Sequence, residues 1–405
     1  MGLWLIPLLI SLPLIWGCGV SSLLANSIVW GDWWIVDGVG FYLSLISVLF
    51  IIILVYSCGT SVGAMEGVCL SVSVFFSLLC FTSNNIYVFW VSYEMTIIPL
   101  LVSLLIASPY SERFLAGWYL VTYVLATSLP MLVALIYISN GGGTSFIGGN
   151  SNIGCVSIIL GLLFVTKVPL PPFHSWLPVV HAEASTFVSV VLSGYVMKLG
   201  IIGVYRFSFN AFSSSSFITG VLFFICVLFF LCSATELDVK RWLAYLSLSH
   251  IIIAVIGIKY LNFHDISMVS VYCLGHGLSA GLLFFYFKSL YELSGSRSWL
   301  IVSFCDNFSL AWRMLIVASF LTVASFPPSI SFLSELGILC ASCVSYIGVS
   351  LFSMYLMLGG LVPILLLSFL LVNNSNYGVS SKASISPLLV VGSLFLAWLL
   401  GGILF

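Results

Sequence analysis

Val188-Ser-Val-Val-Leu-Ser-Gly-Tyr-Val-Met-Lys198-Leu-Gly-Ile-Ile-Gly-Val-Tyr205 sets one lysine in the middle of an otherwise apolar run. A run of this length suits a membrane-crossing helix, which satisfies its own backbone groups in lipid. A cation at its centre costs roughly 2.5–3.5 kcal/mol or more. Lys167, Glu94 and Glu335 lie in similarly apolar settings. A membrane chain that keeps such charges points to charge movement, with protons as the first cargo to consider.

Working outward, apolar runs of similar length recur along all 405 residues. The chain is 61% hydrophobic and 6% charged, far below the roughly 25% charged residues of soluble domains. The expected fold class is an all-α polytopic membrane protein of about thirteen spans. They fall near 2–24, 39–58, 64–82, 85–107, 113–139, 152–182 (broken), 185–208, 214–236, 241–259, 265–290, 310–345 (broken), 347–372 and 384–404. No soluble domain fits between them, and the longest connections are Asn140–Ser151 and Tyr291–Ser309. Arg113, Lys240, Arg241, Lys288, Arg297, Arg313 and Lys382 fall on one set of alternate loops, Arg206 and Lys259 on the other. The richer set should face the compartment of synthesis, which puts the N-terminus inside and the C-terminus outside. No basic tract suggests nucleic acid, and Leu3–Leu24 lacks the basic flank of a cleaved signal peptide. The eleven cysteines are scattered; Cys340-Ala-Ser-Cys343 lies in an apolar helix and reads as structural, not metal-binding.

Two spans are interrupted by proline, at Lys167-Val-Pro169-Leu-Pro171-Pro172-Phe-His174 and at Ser325-Phe-Pro327-Pro328-Ser-Ile-Ser-Phe-Leu-Ser-Glu335. Proline removes an amide donor and clashes with the preceding turn, so each helix should break within the membrane. Paired discontinuous transmembrane helices in two halves mark an inverted-repeat transporter. The plainer alternative is a kink at each site.

The ionisable groups cluster around these breaks. Glu94, in Phe89-Trp-Val-Ser-Tyr-Glu94, needs a proton or a cation partner, and Lys167 is the natural one. The alternatives are a switchable pair and a static buried ion pair. His250 and His276 sit on consecutive spans beside serines and glycines, as a proton relay would need or as satisfied polar groups. His174, His181 and Glu183 follow the first break and line a proton entrance or an interfacial turn. Asp238, Lys240 and Arg241 read as a solvated loop cap. A phosphate loop, an iron–sulfur cysteine cluster and a dinucleotide fingerprint are all missing, so no NADH site and no redox centre is expected in this chain.

Tyr93-Glu94 with Pro99, Lys167-Val-Pro169-Leu with His174-Ser-Trp-Leu-Pro, His181-Ala-Glu183-Ala, Val196-Met-Lys198-Leu-Gly, Leu246-Ser-Leu-Ser-His250, Gly275-His276-Gly-Leu-Ser and Pro327-Pro328 before Ser334-Glu335-Leu occur in this order. This set resembles the chain 4 family of NADH:ubiquinone oxidoreductase, antiporter-like membrane-arm subunits of mitochondrial respiratory complex I. The resemblance covers about residues 37–372. It implies antiporter-like halves over 37–208 and 209–372, with 1–36 an N-terminal span and connection and 373–405 a C-terminal span. It implies a coupling pair of Glu94 and Lys167, and a polar axis through Lys198, His250, His276 and Glu335. Glu335 stands where the chain 5 and cation-antiporter relatives resemble a lysine. The implied function is proton translocation across the mitochondrial inner membrane as part of a translocase. NAD, FMN, iron–sulfur and ubiquinone would be held elsewhere in the complex, with none bound by this chain. Implied partners are other complex I subunits, chains 2 and 5 above all, and membrane lipids. The portion before Asp37 is too short for the two full spans the family would place there, so one early helix is expected to be lost. An independent cation/proton antiporter would share the fold and most of the charges, and a metabolite transporter would want substrate contacts at the breaks.

Overall fold

The computed structural model describes residues 28–30, 33–57, 62–142, 154–209, 216–261, 265–304, 310–327, 329–343 and 346–372. The expected spans at 2–24 and 384–404, Pro328 and Lys382 lie outside the described residues. A short antiparallel hairpin comes first, β1 (Ile28–Trp30) and β2 (Trp34–Val36), with Ile28 opposite Val36 and Trp30 opposite Trp34. The sequence reading assigned no strand here, although β-branched and aromatic residues suit one. Helices follow: α1 (Gly38–Ser57), α2 (Ala64–Thr82), α3 (Ile86–Ala107), α4 (Arg113–Leu120) and α5 (Ser128–Gly142). Then come α6 (Gly154–Lys167), α7 (Trp176–Glu183), α8 (Thr186–Val191), α9 (Met197–Phe207), α10 (Ser216–Thr235), α11 (Val239–Tyr260) and α12 (Ser267–Ser294). The last are α13 (Trp299–Phe304), α14 (Leu310–Val323), α15 (Ile330–Ser342) and α16 (Tyr346–Val372).

Among the described residues seven helical segments are long and apolar enough to cross a membrane: 64–82, 86–107, 113–140, 186–207, 239–260, 267–294 and 348–371. Several expected segments are shorter helices, and the two proline sites are true interruptions, α6 to α7 and α14 to α15. Two of the expected spans run through as single segments but are not regular α-helix. The segment from 113 and that from 186 each contain a π-helical turn, Val121–Leu125 and Leu192–Val196. The expected loop after residue 290 is also largely folded. Helix α12 runs on to Ser294 and ends at Gly295, whose φ of 66° needs a residue without a Cβ penalty. Trp299 of α13 then packs edge-on against Trp242 and Phe287, with ring centroids 5.3 Å away in each case.

Segments 186–207, 239–260 and 267–294 are buried along nearly their whole length, while 113–140 presents most of its surface outward. A helix apolar on all sides belongs in a core or in lipid, and the three central ones carry Lys198, His250 and His276. Close packing of α9 on α6 depends on glycine. A Cβ on Gly203 would fall 2.3 Å from the Phe164 ring, and one on Gly200 2.5 Å from Val168 Cγ2. The crossing therefore sets the backbone that carries Lys198 against the last turn of the helix that ends at Lys167.

Candidate functional site

Lys167 is the last residue of α6, where the negative end of the helix dipole favours a cation. Proline supplies the break that follows, and Trp176 Nε1 at the start of α7 donates to the Thr166 carbonyl at 3.2 Å, lacing the halves together. Lys167 Nζ lies 3.9 Å from Glu94 Oε1 and 5.1 Å from the centre of the Tyr93 ring. It also donates to the carbonyl of Val124, inside the first π-helical turn. Glu94 projects from α3 and has a hydrogen bond with the Ser128 hydroxyl. Both side chains are buried. The structure thus brings the expected pair together and adds three partners, Tyr93, Val124 and Ser128.

Lys198 is completely buried. Its Nζ donates to the carbonyl of Ser193, in the second π-helical turn. The reason is local: the amide of Met197 bonds Leu192 O, five residues back, and so is withdrawn from Ser193 O, its usual α-helical partner. The freed carbonyl is a ready acceptor for a buried cation. Helix α12 crosses this turn closely, since a Cβ on Gly277 would lie 3.3 Å from Gly194 O. It brings His276 and Cys273 within electrostatic reach of Lys198.

The two histidines face each other with ring centroids 5.5 Å apart, and Nε2 of each has no hydrogen-bond partner. On its other edge His250 Nδ1 lies 2.8 Å from Tyr355 Oη and 3.3 Å from Tyr272 Oη. Tyr272 also donates to the His250 carbonyl at 3.0 Å, and the two phenol oxygens are 3.1 Å apart. Tyr355 donates to Glu335 Oε1 at 2.9 Å, and Ser325 donates to the same oxygen at 2.8 Å. Ser325 sits at the second break with φ of 52°, a left-handed conformation uncommon for serine. Ser329 caps α15, accepting from the Phe332 amide at 3.0 Å, and so orients the helix that carries Glu335.

A second group of charges gathers where α7 ends. Arg297 Nη1 lies 3.6 Å from Glu183 Oε1 and its Nε 3.5 Å from Asp238 Oδ2. Arg297 also donates to the Ala182 carbonyl. Lys240 donates to the Ala184 carbonyl at 2.7 Å. Tyr110 lies beneath both cations, 4.7 Å from Lys240 Nζ and 4.2 Å from the Arg297 guanidinium carbon. Burial pushes the Tyr110 hydroxyl above the usual phenol range. The expectation of a solvated cap is corrected for Lys240, which is buried, and holds for Arg241, which is exposed. Folding of the 295–299 segment over the α11 start removes Lys240 from water. His181 is buried behind this cluster, stacked on Phe284 at 5.2 Å, with both ring nitrogens unpartnered. It feels both Lys240 and Lys198. A cavity of about 20 Å³ is lined by Lys240, Phe284 and Arg297, room for one water. His174 is not part of this group; it packs against Phe229 of α10 at 5.1 Å.

The sequence reading missed Tyr272, Tyr355, Ser325, Tyr110 and Arg297 as members of these groups. Tyr272 carried a signal, one helical turn before His276 on the same face. Tyr355 carried none, because a tyrosine in an apolar helix reads as an interfacial anchor. Among the described residues, no group of three or more His, Cys, Asp or Glu is placed to hold a metal ion. Chemically, the site offers groups that take and give protons.

Comparison with known proteins adds a family context. Residues 83–358 match the sequence profile described as NADH:quinone oxidoreductase/Mrp antiporter, TM. The chain is similar to NADH-ubiquinone oxidoreductase chain 4 of Ceratitis capitata, 32% identical over 282 residues, covering 65% of this chain and 61% of that protein. It is similar to chain 4 of Myxine glutinosa, 32% identical, with 65% and 60% covered. The chain therefore spans about three fifths of the length of these relatives. Its fold is similar to a chain of respiratory complex I from Thermus thermophilus solved with bound NADH: TM-score 0.78, 21% identity, covering 99% of this chain and 95% of that one.

Proposed function

The chain belongs to the NADH:quinone oxidoreductase/Mrp antiporter transmembrane family, and on that premise we propose that it is a core membrane-arm subunit of respiratory complex I. In this role it carries protons across the mitochondrial inner membrane while NADH is oxidised and quinone reduced in other subunits. The observation that supports this reading is the buried placement of these groups: Glu94 lies 3.9 Å from Lys167, the His250 and His276 rings lie 5.5 Å apart, and Tyr355 joins His250 to Glu335. Glu94 and Lys167 form the coupling pair, Lys198 is the central proton carrier, and His276, His250 and Glu335 pass the proton along the midplane. His181 and Glu183 form the proton entrance, and His174, which packs apart from them on Phe229, would serve it only from a distance. Closing or opening the Glu94–Lys167 pair changes the field at the neighbouring lysine, which then holds or releases its proton.

The finer architecture follows the same reading. Residues 37–208 and 209–372 are two halves of an inverted repeat, each with one broken helix. Segments 1–36 and 373–405 add a span each, for about thirteen in all. The basic loops lie on the matrix side with the N-terminus, and the C-terminus faces the intermembrane space. Chains 2 and 5 are the neighbouring partners, and NAD, FMN, iron–sulfur clusters and ubiquinone stay with other subunits.

The test is purification of the chain from its native membrane through an affinity tag. Co-purification with NADH dehydrogenase activity is the expected result. A chain that separates cleanly from that activity while still exchanging cations for protons in vesicles would overturn the assignment in favour of an independent antiporter.

A further inference from the structure

Between His250 and Glu335 no gap requires water. Tyr355 Oη is 2.8 Å from His250 Nδ1 and donates to Glu335 Oε1 at 2.9 Å. A phenol has one hydrogen. Since Tyr355 spends it on Glu335, its oxygen must accept from His250, so Nδ1 carries the imidazole hydrogen. Neutral His250 then has a bare Nε2, which finds no hydrogen-bond partner, and the His276 ring lies 5.5 Å from its own. Tyr272 fixes this arrangement from the side. It donates to the His250 carbonyl, so its own oxygen faces Nδ1 at 3.3 Å only as an acceptor.

We infer that Tyr355 is the direct proton bridge from His250 to Glu335 and that Tyr272 is the positioning residue that holds His250 in the donating tautomer. The inference rests on the proton-carrying role proposed above for His250 and Glu335. One transfer balances as follows. A proton binds His250 Nε2. The Nδ1–H bond breaks as its proton passes to Tyr355 Oη. The Tyr355 O–H bond breaks in turn, and that proton binds Glu335 Oε1. His250 ends neutral with its hydrogen on Nε2, Tyr355 ends neutral, and Glu335 ends protonated. One positive charge has moved and no oxidant, reductant or free ion is needed. The file is left reversed, so a second proton passes only after His250 regains its Nδ1 hydrogen. The bridge therefore carries one proton per reset, which suits a pump that must not leak.

Tyr355 also packs on Phe352 at 5.4 Å and on Phe230 at 5.8 Å, so Tyr355→Phe keeps the ring and removes only the hydroxyl. The test measures protons moved per NADH oxidised by the assembled complex in sealed vesicles, with Glu335→Gln as reference. Tyr355→Phe should lower the ratio as far as Glu335→Gln does, with electron transfer from NADH to an artificial acceptor unchanged. Tyr272→Phe should lower it by a smaller fraction, because the bridge itself remains. A normal ratio in Tyr355→Phe beside a lowered one in Glu335→Gln overturns the bridge alone. Normal ratios in Glu335→Gln and Lys198→Ala overturn the proton-carrying role and the bridge with it. Should Tyr355→Phe fail to assemble, Tyr355→Met fills the same space and is read against the same outcomes. A structure of the unaltered complex with an ordered water joining His250 directly to Glu335, past Tyr355, also overturns the inference.

Discussion

Neutralising Glu94 and Lys167 one at a time and together separates what the pair does for stability from its proposed part in proton movement. At 3.9 Å, two unit charges attract by about 4 kcal/mol at an effective dielectric constant near 20. Both side chains are buried, at 3% exposed for Lys167 and 10% for Glu94, so solvent screens little of this. Removing one partner strands the other. The stranded group escapes by changing protonation state, which bounds the penalty at roughly 4–5 kcal/mol for an ordinary lysine and a little less for a glutamate at pH 7. The two single changes are not equal. In Glu94→Gln, Lys167 keeps the Val124 carbonyl and the Tyr93 ring, a contact worth about 0.5–2 kcal/mol. In Lys167→Met, Glu94 keeps only the Ser128 hydroxyl. Lys167→Met should therefore shorten the half-life of the assembled complex at a fixed elevated temperature more than Glu94→Gln does. Each should shorten it at least about ten-fold, where every 1.4 kcal/mol is worth a factor of ten. The double change removes both charges, and a buried ion pair replaced by neutral groups is close to neutral in stability. It should restore most of the half-life and none of the proton movement. A double variant no longer-lived than Lys167→Met would refute the electrostatic account of the pair.

Lys198→Ala should abolish proton movement by this subunit while the complex still assembles, because loss of the cation also removes its desolvation cost; a normal proton-to-electron ratio would remove Lys198 from the mechanism. Glu335→Gln keeps the shape that Tyr355 and Ser325 contact but cannot take up a proton. It should lower the membrane potential generated during NADH oxidation, and an intact potential with intact oxidation would end its role as relay terminus. Gly203→Ala puts a methyl 2.3 Å from a Phe164 ring that is itself stacked on Phe207 at 5.7 Å. The overpacking should cost about 1–3 kcal/mol, seen as a shorter thermal half-life of the complex, and an unchanged half-life would show that the α6–α9 crossing is looser than its geometry implies.

Charge in an apolar run was the strongest signal in the sequence, and it found the lysines and glutamates because lipid tolerates such groups only when they have partners. Proline at two sites gave the breaks for an equally local reason: a missing amide is written in the residue type. The π-helical turns were not legible. They arise where α4 continues toward α5 and where α8 meets α9 against α12, and no residue type marks an i→i+5 bond in the way proline marks a missing one. Lys240 was misread because its burial depends on the 295–299 segment folding back, a contact about sixty residues away in sequence. The hairpin β1–β2 was passed over because three-residue strands fall below the length at which alternation can be counted.

What sequence could not supply is also what would make the lysines usable in the proposed role. A buried lysine needs acceptors that are strong enough to hold an ammonium and weak enough to let it go. A carboxylate alone would hold too firmly in a low dielectric. Lys167 has a carboxylate, a ring face and a backbone carbonyl; Lys198 has a backbone carbonyl that its own helix freed. Carbonyl dipoles carry no net charge, so they solvate the ammonium without binding it as an ion pair. They also remain satisfiable when the lysine is neutral, since an amine still donates a hydrogen. In the proposed role each lysine could thus change charge without breaking its hydrogen bond to a backbone carbonyl, and for Lys167 the largest electrostatic change on protonation falls on Glu94, 3.9 Å away. That property comes from pairing a lysine with a π-helical turn, and it would be lost by restoring regular α-helix at 192–196 even with every ionisable residue in place.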